Sequence, residues 1–156
     1  MTELIVIHGI SLPPGEYGGQ EIEALFTNTL DADAHPYFAE ISGLEVSAHF
    51  LVRRAGEVVQ FVSTDARAWH AGVSCWQGRE QCNDFSIGIE LEGCDDEAYS
   101  DAQYDALNQL LAALTKQYPD IRHDAIVGHS DIAPGRKTDP GQAFDWSRVV
   151  AIQSQQ

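Results

Sequence analysis

GHSDIAPGRKTDPG, residues 128–141, sets a histidine, a lysine and two aspartates between glycine- and proline-rich turns. Asp139-Pro140-Gly141 favours a tight turn, because proline presets φ and glycine accepts positive φ. A loop braced in this way holds its side chains at fixed separations, which a solvated connector has no need to do. His129 lies near its start and Asp139 near its end, while far upstream His8 follows the apolar run ELIVI. Two imidazoles and one carboxylate suit a borderline divalent ion such as Zn2+. Three protein ligands leave the fourth tetrahedral position to water, which is the catalytic arrangement and not the structural one. Spacing alone is a weak signal, since no compact pattern such as HExxH is present. A lone histidine is more often a hydrogen-bonded core or rim residue, and His35, His49, His70 and His123 compete as ligands.

Other groups could complete a hydrolytic site. Lys137 stands two residues before Asp139, so in an extended segment both project to one side. A cation there stabilises the oxyanion formed when water attacks an amide carbonyl; the bland reading is a solvated surface lysine. Glu90, in SIGIELEG, faces away from Ile87, Ile89 and Leu91. It is either a proton carrier for the attacking water or, with Glu92, part of a strand face that meets solvent. Trp69 and His70, in AWHAG, and Asn83, in CNDF, are candidates to line a substrate groove, although Trp69 serves equally well as a core anchor. His49 alternates with Phe50 and reads as a packing residue.

The elements that must position these groups follow from periodicity. Residues 3–7, ELIVI, read as a strand covered on both faces, with His8 directly after it. Residues 48–53 and 57–62 read as a hairpin closed by an Ala-Gly turn. Residues 86–91 alternate as a strand, and AIVG is a last short strand leading into His129. Ser100 and Gln103 form a capping box for a helix carrying Tyr104, Leu107, Leu111, Leu114 and Tyr118 and stopped by Pro119. Further helices are expected over residues 20–30 and from about Asp145. Strands and helices interleave, which predicts an α/β (mixed α+β) fold: a central mixed β-sheet flanked by helices, in one domain spanning 1–156.

Composition narrows the function classes. The chain has 156 residues, enough for a real core. Its net charge of −15 argues against nucleic-acid or anionic-membrane partners, which want basic patches. No apolar run approaches the ~20 residues needed to cross a bilayer, and no secretory signal is visible. Three cysteines, none in CxxC, read as free thiols in a reducing cytoplasm.

Taken together, HGISLPPGEYGG, AWHAGVS, CNDFSIGIELEG, DAQYDAL and GHSDIAPGRKTDPGQAFDW resemble the cytoplasmic AmpD-type N-acetylmuramoyl-L-alanine amidases, in order and from about Leu4 to Trp146. The resemblance implies a zinc amidase related to the peptidoglycan-recognition proteins, with His8, His129 and Asp139 as ligands, Glu90 and Lys137 catalytic, and Zn2+ as cofactor. It implies hydrolysis of the amide between (anhydro-)N-acetylmuramic acid and L-alanine in soluble muropeptides, in the service of cell-wall recycling. Two alternatives stand beside it: a peptidoglycan-binding module that has lost catalysis, and an endolysin- or autolysin-type amidase acting on intact wall. The joint presence of Asp139, Glu90 and Lys137 favours the enzyme over the module. Departures from the family pattern are a short stretch ahead of His8, Gly9 where asparagine is frequent, and Glu45 and Gln81 where some relatives carry arginine. The first predicts a groove open in part, and each of the three residue changes predicts a lost polar or cationic contact to an anionic stem peptide.

Overall fold

A computed structural model describes residues 1–153. The apolar run at the N-terminus forms β1 (Leu4–Ile10), longer than its hydrophobic stretch, so His8 lies inside the strand and not after it. The reason is pairing: β1 is held on one side by β6 (Ser86–Glu92) along its whole length and on the other by β7 (Ile126–Gly128), both parallel to it. The hairpin is present as β2 (Phe50–Val52) and β3 (Val58–Gln60), antiparallel, with Gly56 at φ +89° in its turn. β2 runs parallel to β6, giving a mixed five-stranded sheet in the order β3-β2-β6-β1-β7.

Alternation along the strands sorts the side chains onto two faces. Ile5 and Ile7 of β1 and Ile87, Ile89 and Leu91 of β6 pack with Leu107, Leu111 and Leu114 of α3 (Asp101–Gln117). The predicted capping box is in place: Ser100 Oγ accepts from Gln103 N while the Gln103 side chain accepts from Ser100 N. On the other face, Leu4 and Val6 pack with Phe85, Val127 and Ile132. Farther along that face Leu51 packs with Ile22, Leu25, Phe26 and Phe38 of α1 (Glu21–Phe26) and α2 (Pro36–Ile41).

Helices and loops thus cover both faces, and every residue of β6 is buried. The solvent-facing alternative for Glu90 and Glu92 is therefore overturned. Glu92 accepts hydrogen bonds from Gly18 N at 2.9 Å and Arg54 N at 3.2 Å and pairs with Arg53 Nη2 at 3.4 Å. It ties the segment ahead of α1 to the sheet.

Several elements differ from expectation. α1 ends at Phe26 because the chain leaves the helix at Asn28, whose φ is +60°. α2, unannounced by a long periodic pattern, is capped by His35, whose side chain accepts from Tyr37 N. A second hairpin, β4 (Cys75–Trp76) with β5 (Arg79–Glu80), turns through Gln77 and Gly78 at positive φ. After β7 the chain makes one helical turn, α4 (His129–Ile132). The C-terminal segment is a short 3-10 turn at Trp146–Arg148 followed by α5 (Val150–Gln153); the expected helix from Asp145 is interrupted, and its last residues lie outside those described. Among the described residues no helix is long and apolar enough to cross a membrane.

Candidate metal centre

Strand register brings the first two groups together. His8 and Glu90 are direct neighbours across the β1–β6 pair, and both point to the face away from α3. β7 flanks β1 on its other side, with Ile7 opposite Gly128, so His129 emerges beside His8 where the parallel strands end. Such carboxyl ends are where open α/β sheets hold ligands. The loop after α4 then folds back. Ser130 N donates to the Asp139 carbonyl at 3.0 Å, Lys137 N to the Ala133 carbonyl at 3.0 Å, and Gly9 N to Asp139 Oδ2 at 3.2 Å.

The result is a tight cluster. His8 Nδ1 and His129 Nδ1 stand 3.0 Å apart. Asp139 Oδ2 lies 3.4 Å from His8 Nδ1, and Asp139 Oδ1 lies 3.2 Å from His129 Nδ1. One ligand atom from each of the three residues falls within 4.8 Å of the others. Two donors ~2.1 Å from a common tetrahedral ion stand about 3.4 Å apart, so these separations fit such an ion.

The hydrogen bonding points the same way. His129 Nε2 lies 3.0 Å from the Ala71 carbonyl, which can only accept, so Nε2 carries the proton and Nδ1 presents a lone pair. A lone pair aimed at a second imidazole nitrogen at 3.0 Å needs a cation or a proton between them. Glu90 Oε1 is 3.8 Å from His8 Nδ1, and Glu90 Oε2 is buried without a hydrogen-bond partner among the described residues. That combination fits a carboxylate turned toward a missing polar group.

Burial governs the protonation of these groups. It lowers His8 to about 4, against the hydrogen bond to Asp139 that favours the charged ring. It raises Glu90 well above the usual carboxylate range, reinforced by the charge of Asp139 and opposed by Lys137. Burial also works against ionised Asp139, but the His129 and His8 rings beside it, which take up a positive charge against the carboxylate, prevail and hold it far below the usual range.

The cluster lies at the floor of a groove of about 670 Å³. Lys137 and Trp69 line it; Trp69 is 56% exposed, with the Arg67 guanidinium 5.1 Å from its ring centroid. Leu12, Leu25, Phe26, Tyr37 and Ile41 form an apolar flank.

His70 lines the groove, whereas Asn83 lines a separate recess. His70 is buried, with Nδ1 2.9 Å from His8 Nε2 and Nε2 3.0 Å from Ser86 Oγ, so both nitrogens are engaged. Asn83 is buried outside the groove, its Oδ1 accepting from His70 N and Ala71 N. His49 sits one residue ahead of β2, accepting from Gly88 N and bonding the Ala66 carbonyl. His35 caps α2 and His123 opens a short 3-10 turn, so neither belongs to the cluster.

Gly9 acquires a reason of its own. A Cβ there would stand 2.3 Å from Tyr99 Oη, which donates to the Pro140 carbonyl at 2.8 Å and braces the residue after Asp139. Nothing in the local sequence around Tyr99 signalled that role; its only trace is the pair of glycines, Gly9 and Gly93, that clear its ring. Glu45 is exposed beside the groove-lining Leu44 and Val46, whereas Gln81 faces a separate recess.

Comparison with known proteins places this geometry. Residues 2–142 match the family model described as N-acetylmuramoyl-L-alanine amidase. The 1,6-anhydro-N-acetylmuramyl-L-alanine amidase AmpD of Escherichia coli K12 is 63% identical over 153 residues, covering 98% of this chain and 83% of that protein. A crystal structure of a selenomethionine AmpD derivative superposes with a TM-score of 0.94 at 62% identity, over 97% of this chain and 84% of that one. The amidase AmiD from E. coli, solved with anhydro-N-acetylmuramic acid-L-Ala-D-γ-Glu-L-Lys, superposes at 0.72 with 30% identity, over 97% of this chain and 57% of that one.

Proposed function

The chain belongs to the N-acetylmuramoyl-L-alanine amidase family, and from that footing we propose that it hydrolyses the amide joining 1,6-anhydro-N-acetylmuramic acid to the L-alanine of a muropeptide. The observation that carries this reading is the meeting of His8, His129 and Asp139 within 4.8 Å at the groove floor, beside the orphaned carboxylate of Glu90. The donor set, two nitrogens and one oxygen, suits Zn2+. A zinc ion held by these three residues supplies Lewis acidity, drawing electrons from the scissile carbonyl and making water acidic enough to attack near neutral pH.

The remaining work falls to the chain's own side chains. Glu90 takes a proton from the attacking water and returns it to the leaving nitrogen of L-alanine, using the Oε2 that has no hydrogen-bond partner among the described residues. Lys137, on the groove wall, places its ammonium against the negative charge that builds on the carbonyl oxygen. Trp69 offers an exposed ring face to the sugar or the first peptide unit. Asp139, negative and fixed by Gly9 N, keeps the net charge of the ligand set at −1, so a divalent ion leaves the centre cationic. The setting of this reaction is cell-wall recycling in the cytoplasm, in keeping with three cysteines that remain free thiols.

The test is mass spectrometry of anhydromuramoyl-tripeptide incubated with the protein, with and without a chelator. Free tripeptide is expected only in the unchelated sample. Release of a sugar fragment by a different bond cleavage, or unchanged activity under chelation, would overturn the proposal.

A further inference from the structure

Two adjacent residues serve the outer nitrogens of both ligand rings. His70 Nδ1 lies 2.9 Å from His8 Nε2, and the carbonyl of Ala71 lies 3.0 Å from His129 Nε2. A neutral imidazole has one N–H and one lone pair, and the partner of one nitrogen decides what the other can offer. A ring that gives Nδ1 to a cation must carry its proton on Nε2, and that proton needs an acceptor when buried. The 70–71 dipeptide supplies one acceptor to each ring. The His70 ring is completed on its far side by Ser86 Oγ at 3.0 Å, which accepts a hydrogen bond from His70 Nε2 in that tautomer.

The surroundings hold this dipeptide in place. Asn83 Oδ1 accepts from both His70 N, at 3.0 Å, and Ala71 N, at 2.8 Å, so one buried carbonyl fixes both peptide units. Arg136 Nη2 donates to the Ala71 carbonyl at 2.6 Å and to the Val73 carbonyl at 2.9 Å, closing the other side. Gly88 leaves the space the His70 ring fills: a Cβ there would lie 2.4 Å from His70 Cγ. That backbone cannot retreat freely, because Gly88 N donates to His49 Nδ1 and its carbonyl accepts from His49 N.

We propose that His70 and Asn83 are positioning residues of the metal centre: His70 holds His8 with Nδ1 facing the ion, and Asn83 locks the dipeptide that orients both imidazoles. This rests on the zinc amidase reading. Outer partners of ligating histidines are typically worth 10–100-fold in metal affinity.

The experiment measures zinc affinity by competition with a chromogenic chelator for wild type, His70→Phe, His70→Asn, Asn83→Ala and Asn83→Asp, with circular dichroism to establish folding. His70→Phe keeps a ring and loses the acceptor; it is expected to bind zinc 10–100-fold more weakly. His70→Asn sets an oxygen near the former Nδ1 and should recover most of that loss. Asn83→Ala should weaken binding about tenfold, and Asn83→Asp, which keeps an acceptor, should restore it. In the zinc-loaded protein the ring N–H of His8 should exchange with solvent faster in His70→Phe than in wild type. That of His129, held by Ala71, should not change.

Wild-type zinc affinity in His70→Phe overturns the assignment of His70. Equal weakness of His70→Phe and His70→Asn assigns that residue to packing alone. If His70→Phe fails to fold, the Asn83 pair decides, and wild-type affinity in Asn83→Ala overturns the proposal. Failure of the wild type to take up stoichiometric zinc overturns the amidase reading itself, which separates the two outcomes.

Discussion

Glu90 and Glu92 leave the same face of β6, both buried, and differ in what they meet. Glu92 has backbone N–H groups and an arginine around it, whereas one oxygen of Glu90 meets no hydrogen-bond partner among the described residues. A buried, unpaired carboxylate is costly to keep charged, so an amide of the same shape fits the site at no folding cost. Glu90→Gln should therefore leave the melting temperature unchanged or higher and zinc bound stoichiometrically, while hydrolysis falls by about 10²–10⁴-fold. Loss of metal from that variant would make Glu90 a ligand or a scaffold. The three clustered residues behave oppositely: His129→Ala or Asp139→Ala leaves two ligands and should empty the site in elemental analysis after dialysis. Stoichiometric zinc retained in both variants would place the metal elsewhere.

At the scale of elements, β1, β6 and α3 could be read from their apolar periods because each buries a regular stripe against the others. Their register then makes His8 and Glu90 neighbours, a consequence of parallel pairing that periodicity does not carry. The β4–β5 hairpin pairs locally, Cys75 with Glu80 and Trp76 with Arg79, over strands too short to show a period. α2 and the burial of Glu92 depend on contacts distant in sequence, and so does the role of His70, whose partners are His8 and Ser86. His49 belongs to this group as well: it joins the residue before β2 to the middle of β6 through Gly88. Burial lowers its pKa below 6.5, outweighing the raising effect of the Ala66 carbonyl. The unfolded chain then takes up the proton first as pH falls. Stability that is full above about 6.5 is lost as pH drops from there toward the folded value, by at most about 1.4 kcal/mol per pH unit. His49→Asn keeps an acceptor for Gly88 N and cannot titrate. Urea unfolding between pH 7.5 and 5.5 should show a lower starting stability and a shallower decline than wild type. An equally steep decline would assign the acid sensitivity to other groups.

The whole molecule carries 24 acidic against nine basic residues, a net charge of −15. Its proposed substrate is also anionic, since a γ-linked glutamate leaves a free α-carboxylate and the peptide ends in another. The groove differs from the outer surface: Lys137 and the divalent ion proposed for the centre offset the carboxylates of Asp95, Asp139 and Glu90 at short range. Range decides which field the approaching substrate meets. At 0.01 M salt the Debye length is ~30 Å, so the surface charge repels at distances comparable to the molecule's size; at 0.15 M it is ~8 Å and mainly the groove is felt. The value of kcat/KM should therefore rise several-fold across that interval, with kcat nearly constant, because the salt acts on encounter and not on the bond-breaking step. A substrate with its peptide carboxylates amidated should lose the effect. A fall in kcat/KM with added salt would mean that the cationic floor governs approach from a distance, and that the acidic surface lies too far from the groove mouth to matter.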